Sequence, residues 1–258
     1  MATALITGAS SGIGESFAYA LARQNYGLVL VARRQDRLEA VAAKAMKIGA
    51  ERTEIVAADL GRGDAPLELQ ARLAAIPIEV DYLINNAGFG TTGRFDRLPL
   101  AREIDEIDLN VTALVALTRL FLPPMVERRR GTIINVASTA AFQPLPYMAT
   151  YAATKAFVLS FTEAIAAETA GTGVRILALC PGPVRTEFQA VAKNENALMP
   201  SFAYLDADTV VKQALAAVAQ GRRVQINGIM NTAGAIAARL LPRALVTAIA
   251  GRIYRNAG

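Results

Sequence analysis

The chain contains no histidine and a single cysteine, Cys180, among its 258 residues. Without histidine, a Ser-His-Asp hydrolase and an enzyme that relies on an imidazole acid or base are both excluded. We also expect no metal site, because the usual nitrogen and sulfur ligands of zinc are missing. One cysteine cannot form a disulfide within the chain, which suits a reducing compartment, and Cys180 is interpreted as a small core residue at a strand end.

Long apolar runs and a signal peptide are also missing from the sequence. The best candidate for a membrane span, residues 233–253, is interrupted by Arg239, Arg243 and Arg252. No basic region precedes the first apolar residues. We therefore expect a cytoplasmic protein without an integral membrane segment, large enough to bury a sizeable core.

Acidic residues are fewer than basic ones: the chain has 22 Asp and Glu and 27 Lys and Arg, which gives a net charge of +5. The cations are scattered, and their one tight run, Arg128 to Arg130, is typical of a helix C-terminus. No nucleic-acid motif accompanies the charge, so we expect no nucleic-acid partner. An anionic cofactor or substrate suits the basic surface.

Short β-branched runs alternate with longer amphipathic stretches along the chain. The patterns predict strands at residues 4–7, 27–32, 54–58, 82–85, 132–137, 174–179 and 224–226, and helices at 12–25, 35–48, 65–76, 101–129 and 149–171. Near-continuous apolar strands separated by helices indicate an α/β protein with a doubly wound parallel sheet. We assign residues 1–258 to one domain, with a core over about residues 3–227 and a helical C-terminal extension over about 228–258.

A glycine-rich loop, residues 7–14, lies between the first predicted strand and helix. Glycines let the backbone approach a pyrophosphate, and the helix N-terminus offers free N–H groups to it. The second strand ends in Arg33 and Arg34 rather than in the acid that binds the ribose 2′-OH of NAD. Guanidinium groups match a 2′-phosphate, so we predict NADP(H). The alternative is that both arginines only begin the next helix, where cations oppose the dipole.

Tyr151 and Lys155 are four residues apart on a predicted helix, which places both on one face. An ammonium beside a phenol favours the phenolate, so we expect Lys155 to lower the pKa of Tyr151 and to make it an acid or base near neutral pH. Ser138 ends the fifth strand and can donate a hydrogen bond to a substrate oxygen. Asp59, after the third strand, is interpreted first as a turn cap.

The whole set of motifs closely resembles the short-chain dehydrogenase/reductase family. The motifs occur in order as residues 7–14, Asn85-Asn86-Ala87-Gly88, Asn110, Ser138, Tyr151, Lys155 and 181–186, and the resemblance covers about residues 3–227. It implies a Rossmann fold, with Tyr151 as the general acid or base and Lys155 holding the nicotinamide ribose. It also implies that Ser138 polarises the carbonyl and that Asn110 holds a water that relays protons.

The resemblance further implies a cofactor site that spans the chain and prefers NADP. Residues that would bind the phosphates and ribose are Gly8, Ser10, Ser11, Ile13 and Gly14, with Arg33 and Arg34 at the 2′-phosphate. Residues that would meet the adenine and adenosine are Asp59, Leu60, Asn86, Ala87 and Gly88, and those around the carboxamide are Pro181, Gly182, Val184 and Thr186.

The substrate end of the site is expected to be apolar, which favours a hydrophobic ketone, an aldehyde or a 3-oxoacyl group. Its candidate lining residues, some of which are equally compatible with ordinary core, are Phe89, Phe142, Pro144, Phe188, Met199 and Phe202.

The C-terminal extension departs from shorter family members and is apolar on one face, with arginines opposite. It can cover the pocket, build a dimer or lie on an anionic membrane, and we favour packing on its own or a partner subunit. The apolar helices 101–129 and 149–171 favour a homodimer or homotetramer.

Three functions fit these observations. The leading hypothesis is an NADPH-dependent carbonyl reductase, and the second is an NADPH-binding sensor without turnover, which would have no need of Ser138, Tyr151 and Lys155. The third is a peripheral membrane protein that uses its basic C-terminal helix.

Overall fold

The computed structural model describes residues 2–194 and 204–255, and these form a parallel sheet covered by helices on both faces. The strand order is β3-β2-β1-β4-β5-β6-β7, and every pairing is parallel. The strands are β1 Thr3–Thr7, β2 Gly27–Ala32, β3 Thr53–Ala57, β4 Val80–Asn85, β5 Gly131–Val136, β6 Val174–Cys180 and β7 Val224–Ile226. The predicted α/β doubly wound fold is confirmed.

Helices occupy the connections between the strands, as the sequence periodicity predicts. They are α1 Gly12–Ala22, α2 Gln35–Ile48, α3 Ala65–Ala74, α4 Leu100–Ile107, α5 Leu114–Glu127, α6 Ala149–Glu168, α7 Phe188–Ala192, α8 Ala207–Ala219, α9 Ile229–Leu240 and α10 Arg243–Tyr254. A π-helical turn, Asp108–Ala113, joins α4 to α5 without a break.

The core lies in two layers because successive side chains of a strand point to opposite faces of the sheet. On one face, Ile6 of β1 belongs to a cluster with Phe17 of α1. On the other face, Leu5 belongs to a cluster with Leu117 of α5. Burial on both faces explains why the strands are apolar throughout rather than alternating. Cys180 is fully buried at the end of β6, as predicted.

The continuous helix Leu100–Glu127 is long and apolar enough to cross a membrane, judged by length and composition alone. The expectation that no stretch of the sequence is long and apolar enough is therefore wrong for this helix. In the fold, the apolar residues Leu117, Phe121 and Met125 of this helix are buried against the sheet. Its high mean hydropathy therefore reflects the packing of a core helix.

The C-terminal extension consists of two helices, α9 and α10, separated at Leu241 and Pro242. The extension was expected to pack on its own or a partner subunit. Most of its large apolar residues do not pack on this subunit, and packing on a partner subunit stays a prediction. Small residues form most of the buried face, namely Ala235, Ala250 and Gly251 together with Val246, whereas Ile236, Leu240, Leu241, Leu245 and Ile249 are exposed. Small residues let α10 approach the body closely, and a Cβ on Gly251 would lie 3.4 Å from Pro146.

Candidate active site

A cleft of about 470 Å³ lies at the carboxyl ends of β1, β4, β5 and β6, where the order of the strands reverses. Such a switch point is where open parallel sheets bind their ligands. The cleft collects nearly all the predicted site residues: Gly8, Ser10, Ser11, Ile13, Arg33, Arg34, Asp59, Leu60, Asn86, Ala87, Gly88, Ser138, Tyr151, Lys155, Pro181, Gly182, Val184 and Thr186 line it. Gly14 and Asn110 do not line it.

The glycine loop adopts a conformation that only glycine takes without strain. Gly8 and Gly12 have φ values of 65° and 59°, in the left-handed region. Within residues 2–194 and 204–255 no side chain caps the N-terminus of α1, so its first N–H groups can bind an anion. Gly14 lies beneath the loop, where a Cβ would come within 2.3 Å of the Gly8 carbonyl oxygen. Gly14 therefore shapes the loop, and its predicted contact with the cofactor stays a prediction.

Thr7 and Asn86 hold this loop against β4. The Thr7 hydroxyl donates to the Ile84 carbonyl and accepts from the backbone N–H groups of Asn86 and Ala87, both at 2.9 Å. The Asn86 side-chain amide donates to the carbonyls of Thr7 and Gly8. The Asn86 side chain thus fixes the floor of the cleft, and Thr7 is a structural member of the site.

Arg33 and Arg34 both line the cleft but have different partners. Arg34 donates to Ser10 Oγ at 3.2 Å and forms an ion pair with Glu187 at 2.7 Å. The Arg34 guanidinium holds the pKa of Glu187 below its usual range. Among the described residues, Arg33 has no ion-pair or side-chain hydrogen-bond partner and is exposed. Arg33 is therefore the guanidinium that is available to a new anion.

Asp59 caps a turn and lines the cleft, and its contact with the adenine stays a prediction. Its Oδ1 accepts from the backbone N–H of Gly61 at 3.2 Å, so it caps a turn. It also lines the cleft together with Leu60, at the end where β2 and β3 finish. The turn fixes the loop that forms this wall.

Tyr151, Ser138 and Lys155 meet on the inner wall of the cleft. Lys155 Nζ lies 5.7 Å from the centre of the Tyr151 ring and donates to the Val136 carbonyl oxygen at 2.8 Å. Ser138 caps a short 3₁₀ segment after β5, where its Oγ accepts from the Ala140 N–H at 3.1 Å. Backbone contacts on both sides therefore hold the serine and the lysine in place.

Burial moves the pKa values of Tyr151 and Lys155 in opposite directions. It raises the pKa of the Tyr151 phenol above its ordinary value, and hydrogen bonding with Ser138 only partly opposes this. It lowers the pKa of Lys155 to about 8, against the attraction of Glu106. The predicted lowering of the pKa of Tyr151 by Lys155 is not found, because desolvation of the phenolate dominates. The phenol is therefore protonated near neutral pH, as a proton donor must be.

Asn110 lies behind the cleft wall, in the π-helical turn. Its amide donates to the Phe89 carbonyl at 2.9 Å and to Thr154 Oγ1 at 3.1 Å, and its Oδ1 accepts from the Phe89 N–H at 3.1 Å. A Cβ on Gly88 would lie 2.7 Å from this Oδ1 and 3.5 Å from Lys155 Nζ. The π-helical turn thus brings Asn110 next to Lys155 with one lone pair of Oδ1 still available.

The far end of the cleft is apolar and differs from the predicted pocket. Phe89 and Phe188 line it, and the Phe188 ring lies 5.3 Å from the Tyr151 ring. Phe142 instead packs under Arg239, and Pro144 does not line the cleft. Met199 and Phe202 lie outside the described residues. The lining residues that the prediction missed are Gln143, Leu145, Met148, Val191, Asn194, Tyr204, Ala250, Ile253 and Tyr254.

The C-terminal helices complete the site. Ala250, Ile253 and Tyr254 of α10 line the apolar end, and their spacing of three and four residues was the available signal. Asn231 of α9 presses on the loop after β6, because a Cβ on Gly182 would lie 2.2 Å from its Nδ2. Of the three roles considered for the extension, the structure shows that it covers the pocket.

Comparisons with known proteins agree with this geometry. The sequence profile of the short chain dehydrogenase family matches residues 2–197. An uncharacterized oxidoreductase of Myxococcus xanthus is 40% identical over 73% of this chain and 74% of its own length. The very-long-chain 3-oxoacyl-CoA reductase-B of Danio rerio is 32% identical over 94% of this chain and 77% of its own length.

Solved structures give the same result. A short-chain dehydrogenase from Sphingobium yanoikuyae in complex with NADPH superposes with a TM-score of 0.81, at 35% identity, over 88% of this chain and 87% of that one. The strand order, the glycine loop and the Ser138, Tyr151 and Lys155 cluster found here are what such a likeness requires. The chain is therefore an oxidoreductase of the short-chain dehydrogenase/reductase family.

Proposed function

We propose that this protein is an NADPH-dependent carbonyl reductase, able to run in reverse as an alcohol dehydrogenase. Its substrate would be a hydrophobic ketone, an aldehyde or a 3-oxoacyl compound. The observation that carries the proposal is the position of the protonated Tyr151 between a phosphate-binding loop and an apolar pocket end. A group that donates a proton to the carbonyl oxygen must lie close to the bound cofactor on one side and to the bound substrate on the other.

The residues present fit a dinucleotide. A Cβ on Gly8 would collide with Asn86, so only glycine fits there, and the loop that lines the cleft exposes its backbone to a phosphate. Ser10, Ser11, Ile13 and the N-terminus of α1 would hold the phosphates, and Asp59 and Leu60 the adenine. A reduced nicotinamide, when bound, supplies a hydride to the carbonyl carbon.

The chain's own side chains supply the remaining chemistry. Ser138 donates a hydrogen bond to the carbonyl oxygen and polarises it. Tyr151 transfers its phenolic proton to that oxygen as the alcohol forms, and the Lys155 ammonium, held at the Val136 carbonyl, stabilises the phenolate that remains. Asn110 keeps the adjoining loop in place and offers Oδ1 to a water that returns the proton.

The substrate class follows from the lining of the far end. Phe89, Phe188 and Tyr254 give this end an apolar surface. The similarity of the chain to a very-long-chain 3-oxoacyl-CoA reductase also supports an extended acyl substrate. We favour long 3-oxoacyl thioesters and bulky ketones over small aldehydes.

The first test measures NADPH and NADH oxidation against ketones, aldehydes and 3-oxoacyl thioesters of increasing chain length. Wild type is expected to consume NADPH with some of them, and Tyr151→Phe to be inactive while still binding NADPH. Turnover that survives in Tyr151→Phe would overturn the assignment of the proton donor. NADPH binding without any turnover would favour the sensor hypothesis.

The preference for NADPH is proposed to rest on Arg33, whose guanidinium has no competing partner among the described residues. Losing a charged hydrogen bond to phosphate costs about 1.5–3 kcal/mol, so Arg33→Ala should raise the Kd for NADPH about 10- to 100-fold and leave that for NADH nearly unchanged. Arg34→Ala serves as the matched control, because Glu187 already engages that side chain. Equal weakening of both cofactors in Arg33→Ala would contradict the 2′-phosphate assignment.

We further propose that the protein is a homodimer or homotetramer that associates through α4 and α6. Leu100 and Ile104 of α4 and Phe157 of α6 are exposed, and Phe157 stacks on Phe161 at 5.7 Å. Exposed apolar residues on neighbouring helices are typical of such interfaces. Phe157→Asp is expected to yield a monomer in sedimentation, and an unchanged mass would exclude this surface.

A further inference from the structure

Two glutamates of α4 are buried beside the catalytic helix without a role in the chemistry described above. Glu106 has no exposed surface and Glu103 is 5% exposed. Each carboxylate accepts one hydroxyl hydrogen bond, from Thr91 to Glu106 and from Thr150 to Glu103. The second oxygen of each carboxylate has no hydrogen-bond partner among the described residues. Burying an incompletely bonded carboxylate is costly, so its retention needs a reason.

Both threonines lie close to Tyr151, one next to it in the chain and the other in the loop that contacts its ring. Thr150 directly precedes Tyr151 at the start of α6. Thr91 follows Gly90, and a Cβ on Gly90 would lie 3.1 Å from Cδ2 of the Tyr151 ring. The two carboxylates, one helical turn apart, therefore tie α4 to the backbone before Tyr151 and to the loop that supports its ring.

We propose that Glu103 and Glu106 are positioning residues that hold Tyr151 from two sides through Thr150 and Thr91. The inference rests on the proposed role of Tyr151 as proton donor. A fixed phenol keeps its proton aimed at the carbonyl oxygen, and a displacement of about 1 Å can cost 100-fold in rate.

The charged groups that face Glu106 come from two helices. They are Glu103 and Arg102 of α4 and Lys155 of α6, and burial outweighs the two cations, so that the pKa of Glu106 rises to about 7. The carboxyl can accept from Thr91 in either protonation state. Its ionisation changes the field at Lys155 and Tyr151, which gives the proposal a second signature in the pH profile.

The test compares near-isosteric variants by kcat and KM with NADPH and the best substrate of the panel. Thr91→Val and Thr150→Val should each lower kcat about 10-fold with the KM for NADPH unchanged, because the phenol is misplaced while the cofactor loop is untouched. Thr92→Val is the control: Thr92 is the next residue in the same loop and is more buried than Thr91, but its hydroxyl has no partner among the described residues. If Thr91→Val has the same kcat as Thr92→Val, the proposal is overturned.

Variants of Glu106 separate positioning from simple packing. Glu106→Gln keeps an acceptor for Thr91 and should retain most activity while losing the inflection of kcat near pH 7. Glu106→Leu removes the acceptor and should match Thr91→Val. Should Glu106→Leu fail to fold, the threonine variants, which preserve volume, still decide. Full activity of Tyr151→Phe would overturn the proposed function instead, so the two failures are distinguishable.

A separate observation concerns the outer face of α9 and α10, which we term the C-terminal surface and define by Ile229, Met230, Ile236, Leu240, Leu245 and Ile249. Ile229 is 88% exposed and Leu240 is 79% exposed. The sequence contains no acidic residue after Asp208, whereas Arg239, Arg243 and Arg252 lie on these two helices and Arg255 follows them. None of these arginines forms an ion pair within residues 204–255 or with the other described part of the chain.

We propose that the C-terminal surface docks on an anionic lipid bilayer. Apolar side chains flanked by unpaired arginines are what a helix in the interfacial plane of a membrane requires. A second copy is disfavoured because an isologous contact would bring the arginines of both copies together without any carboxylate. Ala250, Ile253 and Tyr254 of the same helix line the apolar end of the cleft, so docking would place that end near the lipid.

The test is flotation with vesicles of phosphatidylglycerol and phosphatidylcholine in equal parts, and with phosphatidylcholine alone. Wild type should float only with the anionic vesicles, and Leu240→Asp should lose at least about 10-fold in bound fraction, as burying a carboxylate in the interface requires. Leu67→Asp, at an exposed leucine of α3, is the control and should float like wild type. Absence of flotation, or a dimer that Leu240→Asp dissociates, would overturn the proposal.

Discussion

Replacing Glu106 by glutamine should change how the stability of the protein depends on pH. Burial raises the pKa of Glu106 from 4.5 to about 7, so between these values the folded state binds a proton that the unfolded state has released. The free energy of unfolding therefore falls as the pH rises through this window. In Glu106→Gln this contribution is absent, and the variant gains stability relative to wild type with increasing pH.

The magnitude follows from the size of the shift. A shift of about 2.5 pKa units, from 4.5 to about 7, corresponds to about 3.4 kcal/mol in full. Between pH 5 and 7.5 we expect about 2 kcal/mol of it, after allowance for solvent screening near the cleft. The chain has no histidine, so no imidazole titration obscures this window.

The assay is urea unfolding followed by circular dichroism at several pH values from 5 to 7.5. The measured quantity is the difference in the free energy of unfolding between Glu106→Gln and wild type, in which the titration of other groups cancels. Glu51→Gln, at an exposed position, is the control and should show a constant difference. A constant difference for Glu106→Gln as well would refute the argument that this carboxyl is desolvated.

Two further predictions concern the cleft. Gly14→Ala should destabilise the protein by about 1–3 kcal/mol and weaken NADPH binding, because its Cβ would lie 2.3 Å from the Gly8 oxygen. The measurement is thermal unfolding of this variant beside the control Gly63→Ala, whose Cβ would meet no described atom within 4 Å. Tyr254→Ala should raise the KM for long acyl substrates about 10-fold with little effect on short ones, because α10 lines only the apolar end, and equal effects at all chain lengths would contradict that placement.

The strands, the glycine loop and the catalytic helix were predictable because each depends on local sequence. A strand buried on both faces is a short apolar run, as at Leu28 to Val31, and no distant residue is needed to recognise it. Tyr151 and Lys155 share a helix face through their spacing alone. The Arg34–Glu187 ion pair joins residues 153 positions apart, and no local pattern reveals it.

The wrong predictions share one physical cause. The chemical character of a side chain does not determine whether the residue faces solvent, the core or the cleft. Phe142 has the character of a pocket residue, yet it packs under Arg239 of α9. Glu103 and Glu106 have the character of solvated helix residues, yet α4 presents both to the interior. In α9 and α10 most of the large apolar residues are exposed, and Ala235, Ala250 and Gly251 are buried together with Val246, which departs from the usual rule for helices on a folded core.

In a chain without histidine, the buried carboxyl of Glu106 and the buried ammonium of Lys155 are the groups with pKa values displaced toward neutrality. An enzyme that exchanges protons near neutral pH needs groups that titrate there, and without imidazole only displaced pKa values provide them. Burial raises the pKa of Glu106 to about 7 and lowers that of Lys155 to about 8, so each approaches neutrality from its own side. Under the proposed function, Lys155 and Asn110, which both lie close to Gly88, are the groups nearest to the path by which Tyr151 would regain its proton. Burial in this fold therefore brings the pKa values of a lysine and a glutamate toward neutrality in a chain that has no imidazole.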